Sequence, residues 1–436
     1  MIKPTWRTVS LFLLGLPIAL FAVISDERLW SVSFGAIVIV MLIIMADTFL
    51  AFSPARLIVT ATMPDKIFIG EHGIVTLSVA QAGNWRPIRF EMILEQRGDV
   101  EPPSPGSVIL PSRQEANIVF PIIPLRRGRI WVDRVWVRWQ GPLGFIEFSK
   151  VMDIDREIDV IPNVRGVHKT AIQFLTDETI FGEKVQQKGE GTEFEALREY
   201  RAGDDIRFID WKHSARHNKL LSKEFRTERN HQIVMGFDTG HLMVEPLGGM
   251  PRLDHCINAA LRLAYVSLRS GDLVGTFGFD ADIRQYLQPL RGASSFARIQ
   301  RATAELNYNY HETNFTLGLA ELNARLKRRA LVILFTDFVD TITAELLIES
   351  MQRIANKHVV VFVTLHDSFL QQKVDHTPEQ FLDVARAVVA HDFLHDRSVV
   401  FERLARCGVH CLDVPSSNLP VSLINRYLEI KHRGLI

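Results

Sequence analysis

The sequence predicts a multi-domain α+β membrane protein. The expected parts are two N-terminal transmembrane helices, a β-sandwich-like domain and a C-terminal doubly wound α/β domain. Three observations carry this expectation. Two apolar runs lie near the N-terminus, short period-two segments fill the middle, and continuous apolar strands alternate with helical patterns in the second half. At 436 residues the chain exceeds what a single hydrophobic core holds. The patterns divide it at residues 1–56, 57–165, 166–230 and 231–436.

Composition narrows the function classes. Fifty Lys and Arg balance fifty Asp and Glu, so no global basic field exists to gather nucleic acid. Three cysteines, Cys256, Cys407 and Cys411, are no disulfide framework, and nothing demands an oxidising compartment.

Residues 8–25 (TVSLFLLGLPIALFAVIS) are uncharged and apolar, and residues 32–52 carry only Asp47. Both runs approach the length a bilayer-spanning helix needs. Lys3 and Arg7 also resemble the basic start of a signal peptide, but no small-residue cleavage site follows and a second apolar run comes soon after. Cations flank the pair (Lys3 and Arg7 before, Arg56 and Lys66 after), whereas the connecting loop holds Asp26, Glu27 and Arg28. That asymmetry predicts a multi-pass inner-membrane protein with both termini and the folded mass in the cytoplasm. Asp47, late in its run, reads as an interfacial carboxylate before it reads as an intramembrane functional site.

The second segment alternates with period two at residues 74–79 (IVTLSV), 90–95 (FEMILE) and 130–139 (IWVDRVWVRW), and residues 117–123 add a further strand candidate. Turn clusters at residues 82–84, 102–106 and 141–144 separate them, as in a small antiparallel sandwich. Strict alternation places Trp131, Val135 and Val137 on one buried face, with Arg134 and Arg138 solvated.

Residues 189–229 form a dense polar box in which charges of both signs are interleaved with Phe194, Tyr200, Phe208, Trp211 and Phe225. Such density excludes an apolar core and suits an ion-paired joint or a partner-docking surface. The residues expected to carry it are Arg198, Tyr200, Arg201, Gly203, Asp204, Asp205, Arg207, Asp210, Trp211 and Arg216. Two other readings compete. Cations with aromatics suit single-stranded nucleic acid or an envelope polymer, against which the interleaved acids count. Asp210, His213 and Ser214 also include the residue types of a hydrolytic triad, although nearness in sequence is not triad geometry.

The final segment alternates strands and helices. Residues 233–238, 272–279, 330–337, 358–365 and 409–414 are strand-like, with helical spacing at 253–270, 295–306 and 317–326. Ligands of such sheets sit at the carboxyl ends of the strands, where Asp238 and Asp337 fall, while Thr313 precedes a helix. Gly248 and Gly249 lack the lysine and spacing of a phosphate loop. His391 and His395, with Cys407, His410 and Cys411, lack the paired spacing of a zinc site.

Residues 197–216 (LREYRAGDDIRFIDWKHSAR), followed by LLSKEF at 220–225, resemble the signature of the bacterial domain-of-unknown-function family fifty-eight. Residues 126–148 and the VIPN at 160–163 are similar to further elements of that family. The resemblance implies two membrane helices, a β-rich segment and a C-terminal von Willebrand factor A-like domain. It also implies a MoxR-type AAA+ ATPase, or that enzyme's client, as partner. For the α/β domain it implies a metal-ion-dependent adhesion site built from Asp-x-Ser-x-Ser, a Thr and an Asp. Asp238, Thr313 and Asp337 match that order, and Mg²⁺ or another divalent cation would be the ligand, but Gly240 and Leu242 replace both serines. The expectation is therefore a non-enzymatic interaction protein with an empty or weak metal site. A metal-assisted enzyme using Asp238 and Asp337 is the alternative.

Overall fold

The computed structural model describes residues 1–25, 30–81, 87–111, 115–164, 193–201, 206–226, 230–338, 341–375 and 380–436. Contacts divide the chain into two units, Met1–Asn163 and Val164–Ile436.

The first unit joins two helices to an antiparallel sandwich. Strand β1 (Ile2–Pro4) precedes helices α1 (Trp6–Ser25) and α2 (Trp30–Leu50). Eight strands follow: β2 (Leu57–Thr62), β3 (Lys66–Phe68), β4 (Gly73–Gln81), β5 (Ile88–Arg97), β6 (Gly106–Leu110), β7 (Glu115–Ile122), β8 (Gly128–Gln140) and β9 (Ile146–Ile161). One sheet runs β1-β9-β8-β5-β6, with β3 paired in parallel to β9, and the other runs β2-β4-β7. Val75, Leu77 and Val79 of β4 are buried, as are Phe90, Met92 and Leu94 of β5. Phe52 meets Phe90 and Trp139 edge-on, and Phe148 stacks on Trp139.

In β8 the buried face differs from strict alternation. Against β5, where Gln96 pairs with Val132 and Glu95 with Arg134, Asp133 is an extra residue in β8, so Ile130 and Val132 are buried before it and Val135, Val137 and Trp139 after it. Trp131 leaves the core face and lies half-buried beneath the Arg97 guanidinium. Arg134 and Arg138 are exposed and pair with Asp153 and Glu91.

The expected pair of transmembrane helices is corrected here: among the described residues, no helix is long and apolar enough to cross a membrane. The helices form, but protein claims their ends. The Thr8 hydroxyl donates to the Phe145 carbonyl. Asp47 is fully buried and accepts the N–H groups of Leu143, Phe145 and Ile146 at 2.7, 2.9 and 3.1 Å. The helical lengths beyond those contacts, residues 9–25 and 30–46, each rise only about 25 Å, against a hydrocarbon core of about 30 Å. Pro17 further removes a backbone donor inside α1. Leu13 and Leu14 of α1 and Met41 and Phe49 of α2 are exposed.

The second unit begins, among its described residues, with a hairpin of β10 (Glu193–Glu199) and β11 (Leu221–Arg226), with helix α3 (Trp211–His217) between its strands. The α/β sheet then runs through β12 (Gln232–Asp238), helix α4 (His241–Val244) and the two-residue strands β13 (Pro246–Leu247) and β14 (Met250–Pro251). Gly248 and Gly249 both have positive φ and make the tight turn between β13 and β14, a purely conformational role. Next come α5 (Arg252–Arg269), β15 (Leu273–Phe279), β16 (Ile283–Arg291), α6 (Phe296–Ala304) and α7 (Phe315–Arg325). The unit ends with β17 (Ala330–Phe335), α8 (Thr341–Ala355), β18 (Val359–Leu365), α9 (Ser368–Asp375), α10 (Phe381–Arg406), β19 (His410–Val414) and α11 (Leu419–His432).

The six-stranded sheet has the order β16-β15-β12-β17-β18-β19, parallel except for β16. Every residue of β17 and β18 is buried, as parallel strands covered on both faces require. After β12 the chain extends the sheet toward β15 and then returns to β12's other side with β17. The carboxyl ends of β12 and β17 therefore flank the switch point where ligands of such sheets sit.

Candidate functional site

Two places collect the chemistry that the sequence singles out: the switch point and the 193–226 element.

At the switch point, Asp238 ends β12 with its carboxylate buried. One oxygen accepts the Gly240 N–H at 2.8 Å and the Thr313 hydroxyl at 2.7 Å, and the other accepts the Thr336 hydroxyl at 2.5 Å. Burial pushes its pKa up to about 6, although the threonine hydroxyls and the Gly240 N–H oppose the shift. Neighbouring Thr239 donates to Asp280, which Arg284 pairs at 2.7 Å and the Asn309 amide reaches at 2.7 Å.

Asp337, just past β17, stands between two guanidinium groups. Arg397 from α10 donates at 2.6 Å to one oxygen, and Arg252 from α5 donates at 2.8 Å to the other. The same Arg397 donates to the Thr364 hydroxyl at 2.6 Å and to Asp413 at 3.1 Å, so one side chain ties the ends of β17, β18 and β19 to α10. Arg252 also reaches the Leu365 carbonyl at 3.2 Å. The side chains of Asp337, Arg252 and Arg397 are 9, 12 and 7% exposed, so little water screens this network.

The structure brings Asp238 and Thr313 into direct contact and gives Asp337 different partners. A hard divalent cation needs oxygen lone pairs turned toward it. Here both oxygens of Asp238 already accept hydroxyl or amide hydrogens, and both oxygens of Asp337 face guanidiniums. A Cβ at Gly240, the first serine position of the adhesion motif, would lie against the Thr313 hydroxyl and the His311 carbonyl. The residues present do not fit a divalent ion. Nor do three His, Cys, Asp or Glu side chains converge as a metal site among the described residues.

Sequence reasoning missed Arg252 and Arg397. A signal existed for the second: Ala390, Arg397, Val400 and Leu404 are the buried residues of α10, so a cation lies on the apolar face of a helix. Such a cation demands a buried partner.

The buried Asp238 has a measurable consequence. Its folded-state pKa exceeds the ordinary carboxylate value of 3.8. The stability gained from its protonation is thus complete below about pH 4 and lost as pH rises through 6. By this linkage, denaturant titrations of the full chain from pH 4 to 7 should show Asp238→Asn gaining about 3 kcal/mol on the native chain. Parallel profiles for the two proteins would mean that this carboxyl does not titrate there.

In the 193–226 element, Asp210 caps α3 by accepting the His213 N–H at 3.1 Å, and its other oxygen meets the His213 ring at 3.0 Å and Lys223 at 3.4 Å. The His213 N–H, with that ring and Lys223, holds its pKa down to about 2. Ser214 donates to the Asp210 carbonyl at 2.7 Å and accepts the Leu221 N–H at 2.9 Å, fastening the helix to β11. The hydroxyl is spent on backbone and makes no bond to His213, so the three residues form a brace rather than a hydrolytic relay. Asn218 ends the helix in the left-handed conformation.

The brace leaves a defined outer surface. Trp211 is 64% and Ile206 65% exposed, and Arg207, Lys212 and Arg216 are also exposed. Arg198 and Tyr200 are half-buried and Arg201 is exposed, whereas Gly203, Asp204 and Asp205 lie outside the described residues. Glu199 pairs with Lys219 at 3.2 Å.

A profile of the family described as "Protein of unknown function DUF58" matches residues 196–373, which take in this element and much of the α/β sheet. The chain is 23% identical over 126 residues to the uncharacterised protein YeaD of Bacillus subtilis, covering 29% of this chain and 32% of that one. It therefore spans about a third of that relative's length. Among solved structures it is similar to the conserved hypothetical protein BatB from Bacteroides thetaiotaomicron. There the TM-score is 0.29 at 12% identity, over 45% of this chain and 99% of that one. For the RO protein of Deinococcus radiodurans the TM-score is 0.19 at 12% identity, over a third of each chain. Neither score is high enough to assign a fold.

Proposed function

We propose that this chain is a non-enzymatic adaptor that docks a protein partner on the outer surface of the 193–226 element. The observation that carries the reading is the contrast between inside and outside at α3. Asp210 and Ser214 spend their polar atoms on bracing the helix, and Trp211, Arg207, Lys212 and Arg216 of the same element are exposed. Tryptophan and arginine are the residues that most often dominate protein interfaces. A helix already braced on the backbone has less conformational entropy to lose on binding, so more of the contact energy appears as affinity. The partner class follows from the sequence resemblance: a MoxR-type AAA+ ATPase or its client.

The test is a binding titration between the purified full chain and the AAA+ ATPase encoded nearest to it. Trp211→Ala should weaken the complex at least tenfold, about 1.4 kcal/mol or more, without changing the unfolding midpoint, because the side chain is exposed. Arg216→Glu should weaken it further by placing an acid where a base is expected to meet the partner. Unchanged affinity in both variants would end the assignment of this surface. Failure of the native chain to bind the ATPase at all would end the assignment of the partner.

A further inference from the structure

The strand ends at the switch point assemble the oxygen-rich set that ordinarily attracts a hard cation: the carboxylates of Asp238 and Asp337 with the hydroxyls of Thr313 and Thr336. Yet the positive charge beside Asp337 is supplied by the chain itself. We infer that Arg252 and Arg397 stand in place of a divalent cation, making the switch point a permanently charged, metal-independent joint that anchors α10 to the sheet.

Three features support the substitution. First, the geometry is that of charge-assisted bonds, since both Asp337 oxygens are met at 2.8 Å or less by different guanidiniums. Second, the guanidiniums come from elements remote in sequence, α5 and α10, and converge on one carboxylate with almost no solvent exposure. Two fixed cations in so dry a place would repel an arriving divalent ion. Third, neighbouring Asp238 has no cationic partner among the described residues and is met by neutral donors, so the charge balance is concentrated at Asp337. A metal ion can leave, and an arginine cannot. Whatever the carboxyl-end surface engages, its geometry should therefore be indifferent to chelators.

The functional consequence concerns α10. Through Arg397 one guanidinium reaches Asp337, Thr364 and Asp413, so the charge that holds the strand ends together also holds this helix. A metal in the same place would leave α10 free to move with ion concentration, whereas a cation that is part of α10 itself does not.

The test compares the full-length chain with Arg252→Gln, a change at the more exposed of the two arginines, and with Asp337→Asn. Unfolding midpoints are measured in EDTA and across a Mn²⁺ titration, with Mn²⁺ binding followed in parallel by calorimetry. The native chain is expected to give the same midpoint throughout. Arg252→Gln is expected to bind Mn²⁺ at least tenfold more tightly than the native chain and to be stabilised saturably, and adding Asp337→Asn should abolish both effects. A native chain stabilised by Mn²⁺ in a manner that Asp337→Asn removes would overturn the inference. So would an Arg252→Gln chain that folds and responds to Mn²⁺ no more than the native one.

Discussion

Arg397→Ala is expected to destabilise the α/β unit by roughly 3–5 kcal/mol, the range for removing one member of a buried ion pair. The substitution would leave Asp337 with Arg252 as its remaining cation and leave Asp413 and the Thr364 hydroxyl without this donor. It would also remove a planar cation that lies 5.3 Å from the centre of the Phe338 ring and 5.5 Å from that of Phe401. Lysine should recover only a minority of the loss, because its three donors share one nitrogen, whereas Arg397 reaches Asp337 from one guanidinium nitrogen and Thr364 and Asp413 from another. The effect is measured by denaturant unfolding of the full chain, with hydrogen exchange reporting where protection is lost. Exchange should accelerate in α10 and at the ends of β17 to β19 before the rest of the unit. A loss below about 1 kcal/mol would show that the network is not the anchor its geometry describes.

The second large effect belongs to the other unit. Asp47→Ala would strip three backbone N–H groups, those of Leu143, Phe145 and Ile146, of their shared acceptor. A buried donor left unpaired costs about 1–3 kcal/mol, so a total of roughly 3–5 kcal/mol is expected once some groups recover water. Asn keeps one accepting oxygen and should fall between the two. The neighbouring Gly141 is bound to the same arrangement, for a Cβ there would stand 2.6 Å from an Asp47 carboxylate oxygen. Amide exchange at Leu143, Phe145 and Ile146 is the direct measurement. If these three amides keep their protection in Asp47→Ala, the carboxylate is not what orders the loop.

Both residues show where sequence reasoning stops. In sequence, Asp47 reads as an interfacial carboxylate, because an acid near the end of an apolar run most simply reaches water at the membrane surface. Its partners lie 96 to 99 residues away, and no local pattern carries that distance. The same holds for Trp131. Period-two counting assigns it to the core with Val135 and Val137, but Asp133, an extra residue of β8 against β5, turns the phase. The box was legible in part. Asp210 stands directly before the helix it caps, a placement that adjacent residues carry. Which acids brace it and which cations face outward was not legible, because that depends on how the hairpin closes over the helix.

By itself the sequence determined the mixed α/β character, the strands buried on both faces and the placement of Asp238 and Asp337 where strands end. These are consequences of local periodicity, which each segment carries in its own residues. Only the tertiary structure decided what those carboxylates do. Arg252 and Arg397 lie 85 and 60 residues from Asp337, and the order in which the strands assemble brings them onto it. Periodicity sets which face a side chain takes, but the pairing of charges is set by the path of the chain.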